Sequence, residues 1–279
     1  MNTLRAVYRV LRDSFRAFED DDGIAMAGYI AFAGLLAIFP FLIFAVSLTG
    51  VLLGEEQSVR AVDALFQFAP EHVAQTLEPV LNEVLEGRGQ GVLTLSILVT
   101  IWLASNVFEA FRIAFDRAYH FDKTRHYVLR RSAAVGFVFL GSVVAVILGV
   151  SIIFAPLLLK MGEEWFNFTI PGSTTALSFA LGVTVFLVFL TMMHRYLPSK
   201  PMKGHRIWPG VFISVTMWVI GAALFSIYLS MTPTYAITYG TLAGVMVTLM
   251  FFYLSGVVII FGAEVNAVLN ATLTKNKVE

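Results

Sequence analysis

Glu264 closes the longest apolar stretch of this chain. From Ile207 to Ala263 the sequence runs 57 residues without Asp, Glu, Lys or Arg, and the acid that follows is still flanked by apolar residues. A carboxyl group inside a membrane helix costs up to about 3 kcal/mol unless it is paired or wetted. Two chemistries would justify it. One is an ion pair that locks helices together, with Arg112 or Arg195, at the ends of other apolar segments, as partner. The other is a proton-coupled or headgroup-coupled role. Asn266 and Asn270 keep the same segment polar toward its end.

A second set of chemical groups lies in WLASNVFEAFRIAFDRAY. Asn106, Glu109, Arg112, Asp116 and Arg117 recur at spacings that place Glu109–Arg112 and Arg112–Asp116 within pairing distance along one helix. That is a structural ladder, or a patch in which Arg112 and Arg117 take a phosphate or lipid headgroup. The basic loop DKTRHYVLRR would extend the patch. Upstream, EDDDG (19–23) resembles a cation site, but acids just before a helix satisfy its free amides and the positive end of its dipole. His120 and His126 stand six apart with no third ligand suggested, and the chain has no cysteine, so no metal or other cofactor is expected. The loop HRYLPSKPMKGHRIWPG reads as a stiff connector touching lipid headgroups.

What positions these groups is a membrane. Hydrophobic residues make up 58% of the 279 and charged ones 14%, against roughly 25% charged in soluble domains. Charge-free segments fall at 23–54, 89–108, 132–159, 165–193 and 207–263. The last exceeds one crossing of about 20 residues, and Pro233 in MTPTYAITYG divides it into roughly 208–230 and 239–263. The sequence therefore predicts an all-α, polytopic protein of six transmembrane helices. Of 19 basic residues, all but Arg60, Arg88 and Lys160 fall on one side of that arrangement, which puts both termini in the cytoplasm. No cleavable signal is read at the start, and the first span is expected to act as an uncleaved anchor.

Two domains follow: a cytoplasmic interfacial helix over 1–22, and a single transmembrane unit over 23–279. In the first, Leu4, Val7, Leu11, Phe15 and Phe18 oppose Arg5, Arg9, Arg12 and Arg16, the pattern of a helix lying among anionic headgroups. No aromatic residue interleaves with that basic stripe, so nucleic acid is not an expected partner; membrane lipids are. The outer segment 55–90 carries seven acids against two arginines and reads as two short amphipathic helices. Within the first span, Ala27, Ala31 and Gly34 present a smooth face for a neighbouring helix, and Pro40 marks a kink. Gly240 and Gly244 form a GxxxG that admits close approach within the chain or between copies, hence a possible homo-oligomer.

AGYIAFAGLLAIFPFL, NVFEAFRIAFDRAY and the closing YGTLAGVMVTLMFFYLSGVVIIFGAEVNA together resemble the YihY/BrkB family of bacterial inner-membrane proteins, over most of the length. Phe252 stands where an aromatic, often Trp, is common in that family. The resemblance implies six membrane helices and an inner-membrane location. An older label for the family, transfer-RNA-processing ribonuclease, fits poorly: nuclease chemistry needs clustered carboxylates or histidines on a scaffold that can hold RNA. No enzyme activity is expected. The functional expectation is a transporter or flippase for an amphipathic, anionic lipid-like molecule, with Asn106, Glu109, Arg112, Arg117, Arg195 and Glu264 as binding residues. The alternative is a non-transporting scaffold for envelope partners, whose core would be packed shut.

Overall fold

The computed structural model describes residues 2–53, 90–121, 126–166, 173–200, 202, 205–231 and 241–275. These form seven α-helices and no strand: α1 Asn2–Asp20, α2 Gly23–Leu53, α3 Gln90–Ala118, α4 Tyr127–Phe166, α5 Ser173–Tyr196, α6 Trp208–Met231 and α7 Thr241–Lys275. The expected outer helices of 55–90, the break at Pro233 and Gly240 lie outside the described residues. Among the described residues, four stretches are long and apolar enough to cross a membrane, in α4, α5, α6 and α7. A further candidate is a pair bent by 65°, Val7–Asp20 followed by Gly23–Ile38.

Local chemistry explains the helix limits. Leu197 precedes Pro198, which disfavours helix at the residue before it, and α5 ends at Tyr196. Pro209 sits in the first turn of α6, where its missing N–H costs nothing. Two helices outrun their expected lengths. Lys160, Glu163 and Glu164, read as the end of the third span, lie inside α4, because charge alone does not break a helix. α7 continues for 11 residues, about three turns, past Glu264. Pro40 lies inside α2, and the helix is unbroken through it.

α7 is the hub, packing on α1, α2, α3 and α6. Small residues make its contacts close. Ala27 and Ala31 are buried, a Cβ on Gly256 would stand 3.2 Å from the Ala27 Cα, and one on Gly34 would stand 3.1 Å from the Phe252 ring. The smooth face of α2 thus receives α7, and Phe252 fills the notch left by Gly34. Gly244 differs: nothing lies within 4 Å of where its Cβ would be. Outward-facing Phe32, Phe179 and Leu224 are more than half exposed, an exterior suited to acyl chains rather than water.

The tightest crossing joins α6 and α7 at Gly210 and Gly262. A Cβ on Gly262 would fall 2.6 Å from the Gly210 carbonyl oxygen and collide with the Ser214 hydroxyl. Gly262→Ala is expected to cost about 1–3 kcal/mol, the usual range for overpacking a tight contact. Thermal unfolding in detergent would measure it, and an unchanged midpoint would mean the two helices separate more easily than this contact implies.

Candidate functional site

At the C-terminal end of α3, helix periodicity stacks the polar side chains into a closed network. The Arg112 guanidinium, 3% exposed, makes a two-pronged contact with Glu109, Nε to Oε2 at 3.0 Å and Nη2 to Oε1 at 2.9 Å. Its Nη1 donates to Asp116 Oδ2 and, at 3.1 Å, to Ser199 Oγ. Asp116 also accepts the Ser199 backbone N–H at 2.7 Å, which fastens the turn after α5 to α3. Arg130 of α4 completes the charge balance, its Nε 3.0 Å from Glu109. Asn106 stands apart from this group: its Oδ1 accepts from Arg131, whose guanidinium lies 3.7 Å from the centroid of the Trp102 ring.

The sequence suggested that Glu264 answers Arg112 or Arg195. Neither does. Arg112 spends its donors on acids one turn away along its own helix, which are fixed neighbours as soon as α3 forms. Arg195 is exposed, its guanidinium 5.9 Å from the Tyr196 ring centroid. Glu264 is 1% exposed, and neither of its carboxyl oxygens has a hydrogen-bond partner.

Glu264 is one of the residues lining a cavity of about 320 Å³, together with Tyr119, His120, Phe121, His205 and Asn270, and its carboxyl oxygens are themselves buried. His120 and Phe121 also border a second cavity of about 370 Å³, which reaches Asp21, Arg112, Asp116 and Arg117. Burial holds the Tyr119 hydroxyl above its ordinary range; the Asn266 amide opposes this and the Glu264 charge adds to it. The Tyr119 hydroxyl lies 3.2 Å from His194 Nδ1.

His194 is fully buried and stacks on Phe115 at 4.6 Å, while its Nε2 has no partner. Reading the HRYLPSK stretch as a connector misplaced it, since α5 continues through His194 to Tyr196. The signal was present: Leu190, Met193, His194 and Leu197 follow the i, i+3, i+4, i+7 pattern of a buried helix face. Ser199, Gly210 and Gly262 were also missed, because their roles arise only from contact with other helices.

The asparagines of α7 hold the entry to α6. Asn266 Oδ1 accepts the Gly210 N–H at 2.7 Å, satisfying one of the free amides at that helix start. Asn270 Oδ1 accepts the Arg206 N–H at 2.9 Å, and its Nδ2 donates to the Arg206 carbonyl at 3.0 Å. The GAEVN stretch therefore divides its labour: Gly262 permits the crossing, Asn266 caps the neighbour, and Glu264 is left buried without a partner beside the cavity.

His120 ends α3 in the left-handed conformation, at φ 53°. Its N–H bonds the Arg117 carbonyl at 2.9 Å and the Phe121 N–H bonds that of Asp116 at 2.8 Å, a paired C-terminal cap whose left-handed position usually holds glycine. An L side chain there costs about 1–2 kcal/mol, although histidine bears the conformation better than most. His120→Gly is accordingly expected to raise stability by about 1 kcal/mol. A lower midpoint on thermal unfolding would show instead that the imidazole holds the site together.

Asp22 ends α1 in the same way, at φ 58°, and its carboxylate meets Arg117 at 2.8 Å on the surface. The neighbouring Asp21 faces His120 at 3.7 Å; burial lifts its carboxyl above the ordinary range and the imidazole opposes that shift. Asp21 and Asp22 thus join the α1–α2 bend to the end of α3. On α1 itself, Phe18 is buried against Phe261, whereas Val7, Leu11 and Phe15 are exposed.

A family model described as "Virulence factor BrkB" matches residues 14–279. Among curated proteins, a "Putative ribonuclease-like protein YfkH" of Bacillus subtilis is 27% identical over 263 residues, covering 93% of this chain and 94% of that protein. A "UPF0761 membrane protein" of Coxiella burnetii is 24% identical, covering 91% of each chain. Another of the same description from Alteromonas mediterranea is 23% identical, covering 96% of this chain and 92% of its own length. No solved structure matches.

Proposed function

Given that the chain belongs to the virulence factor BrkB family, we propose that it is an inner-membrane transporter of flippase type for an amphipathic, lipid-like substrate. In this reading it crosses the bilayer six times with both ends in the cytoplasm, as the one-sided distribution of its basic residues favours. The observation that carries the proposal is the buried, unpartnered carboxyl group of Glu264, a residue that lines a cavity. An intramembrane ionisable residue is by default a sign of a substrate or ion pathway. A scaffold needs a core packed shut, and such a core would have no use for this group.

The arginine stripe of α1 gathers anionic lipid beside the cavity. Arg112 is too fully engaged to serve as a headgroup ligand. Arg117, at the surface, keeps that part in exchange with Asp22. A nuclease reading has no comparable support, since Asp21 and Asp22 of the acidic run tie a helix bend to His120 and Arg117.

Vesicles containing the purified protein and headgroup-labelled phospholipid test the proposal. Translocation is expected to require the protein and to fall about tenfold or more in Glu264→Gln, the loss of one charge-assisted contact. Equal rates in vesicles with and without protein would rule transport out, and stoichiometric capture of an envelope protein through residues 55–90 would then favour the scaffold.

A further inference from the structure

The Glu264 cavity has a chemical signature narrower than that of a general lipid pathway. Its defining group is a buried carboxyl whose two oxygens accept no hydrogen bond. Among the described residues, the charged group that acts on it is another acid, Asp21. The arginines nearest in the sequence pattern are held elsewhere, Arg112 by Glu109 and Asp116 and Arg117 by Asp22. Among the described residues no cation stands beside this carboxyl, and the adjoining cavity has room for one to enter.

The remaining wall says which kind. Tyr119, His120, Phe121 and His205 supply rings, and ring faces attract cations through their quadrupole. Phe121 already takes the Lys200 ammonium at 5.3 Å from its centroid. A space of about 320 Å³ far exceeds the ~30 Å³ share of one water and reaches the lower range of small-molecule sites. Among the described residues no three His, Asp or Glu side chains converge as metal ligands. We infer that this cavity binds an organic ammonium group, with Glu264 as its counter-ion and the surrounding rings as its cage. The ammonium comes either from a lipid headgroup or from a free amine.

This inference deepens the transport reading, supplying the positive end of a substrate whose negative end meets the arginines of α1. The polar groups lining the site are Tyr119 and His120 from the end of α3, His205 ahead of α6, and Asn270 on α7, with His194 behind Tyr119 and Asp21 of the α1–α2 turn on the adjoining cavity.

The experiment is thermal unfolding of the full-length protein in detergent, titrated with butylammonium, with butanol of like shape, and with sodium. Butylammonium is expected to raise the midpoint, and butanol and sodium to leave it unchanged. In Glu264→Gln the concentration required should rise about tenfold or more, as for loss of a charge-assisted contact. Ala267→Leu, which fills the cavity and keeps the carboxyl group, should abolish the effect and serves as the second variant if Glu264→Gln fails to fold. A stronger Glu264-dependent shift in nanodiscs of phosphatidylethanolamine than in phosphatidylglycerol assigns the group to a lipid; a shift with butylammonium alone assigns it to a free amine. Equal shifts from sodium, or the same response in both variants as in wild type, overturn the inference. Ammonium binding without headgroup translocation would leave the site standing and retire transport, and translocation without binding would do the reverse.

Discussion

Arg112→Met is expected to destabilise the protein by about 3–5 kcal/mol, the penalty for leaving the buried acid Asp116 without its cation, while Glu109 keeps Arg130. Glu109 and Asp116 would lose their shared partner in an environment where Arg112 itself is 3% exposed. Asp116 would keep the Ser199 N–H, which is too little to solvate a buried charge. The loss should propagate to the turn after α5, because Ser199 is fastened through the same carboxylate. Arg117→Met provides the contrast. Its pair with Asp22 is 42% and 68% exposed, and surface pairs are worth about 0–1 kcal/mol. Unfolding midpoints and the yield of monodisperse protein in detergent would separate the two. Similar behaviour of both variants would mean that water reaches the Arg112 network and that its burial is not what holds α3 to its neighbours. A double variant, Arg112→Met with Asp116→Asn, should recover part of the loss, since the two residues act as one unit.

Glu264→Met is expected to move stability the other way. A buried polar group without a hydrogen bond costs about 1–3 kcal/mol, and a thioether side chain of similar volume removes that cost. The variant should therefore unfold at a higher temperature than wild type while losing activity. Opposite effects on stability and function are the mark of a residue kept for what it does. The pairing of results is informative in each combination. A more stable, inactive protein supports a functional carboxylate. A less stable one means that Glu264 holds a partner under working conditions and belongs to the framework. A stable, fully active variant would remove Glu264 from any mechanism, and the cavity would lose its defining group.

Much of the architecture was legible because it follows from local rules. Segments of apolar residues long enough to cross a bilayer announced α2 and α4 to α7, and the small residues of α2 announced a close neighbour, found in α7. The spacing of Glu109, Arg112 and Asp116 announced the ladder, since helical neighbours are fixed by periodicity alone. Helix ends were read less well: charged residues were taken for boundaries in α4 and α5, although caps and prolines decide where a helix stops. The site was legible only in part. Glu264 stood out by its isolation, but its supposed partner was inferred from depth in the membrane, a coordinate that says nothing about rotation around a helix axis.

The amino-acid sequence alone determined that this chain is helical and apolar, belonging in a bilayer, because hydropathy and periodicity are properties of consecutive residues. Only the tertiary structure decided that Arg112 is sealed by its own neighbours, that His194 is buried behind Tyr119, and that Glu264 is buried beside a cavity without a guanidinium. Those outcomes depend on how each helix is turned about its axis when it packs. Close approach at glycines such as Gly210 and Gly262, 52 residues apart in the sequence, sets that rotation.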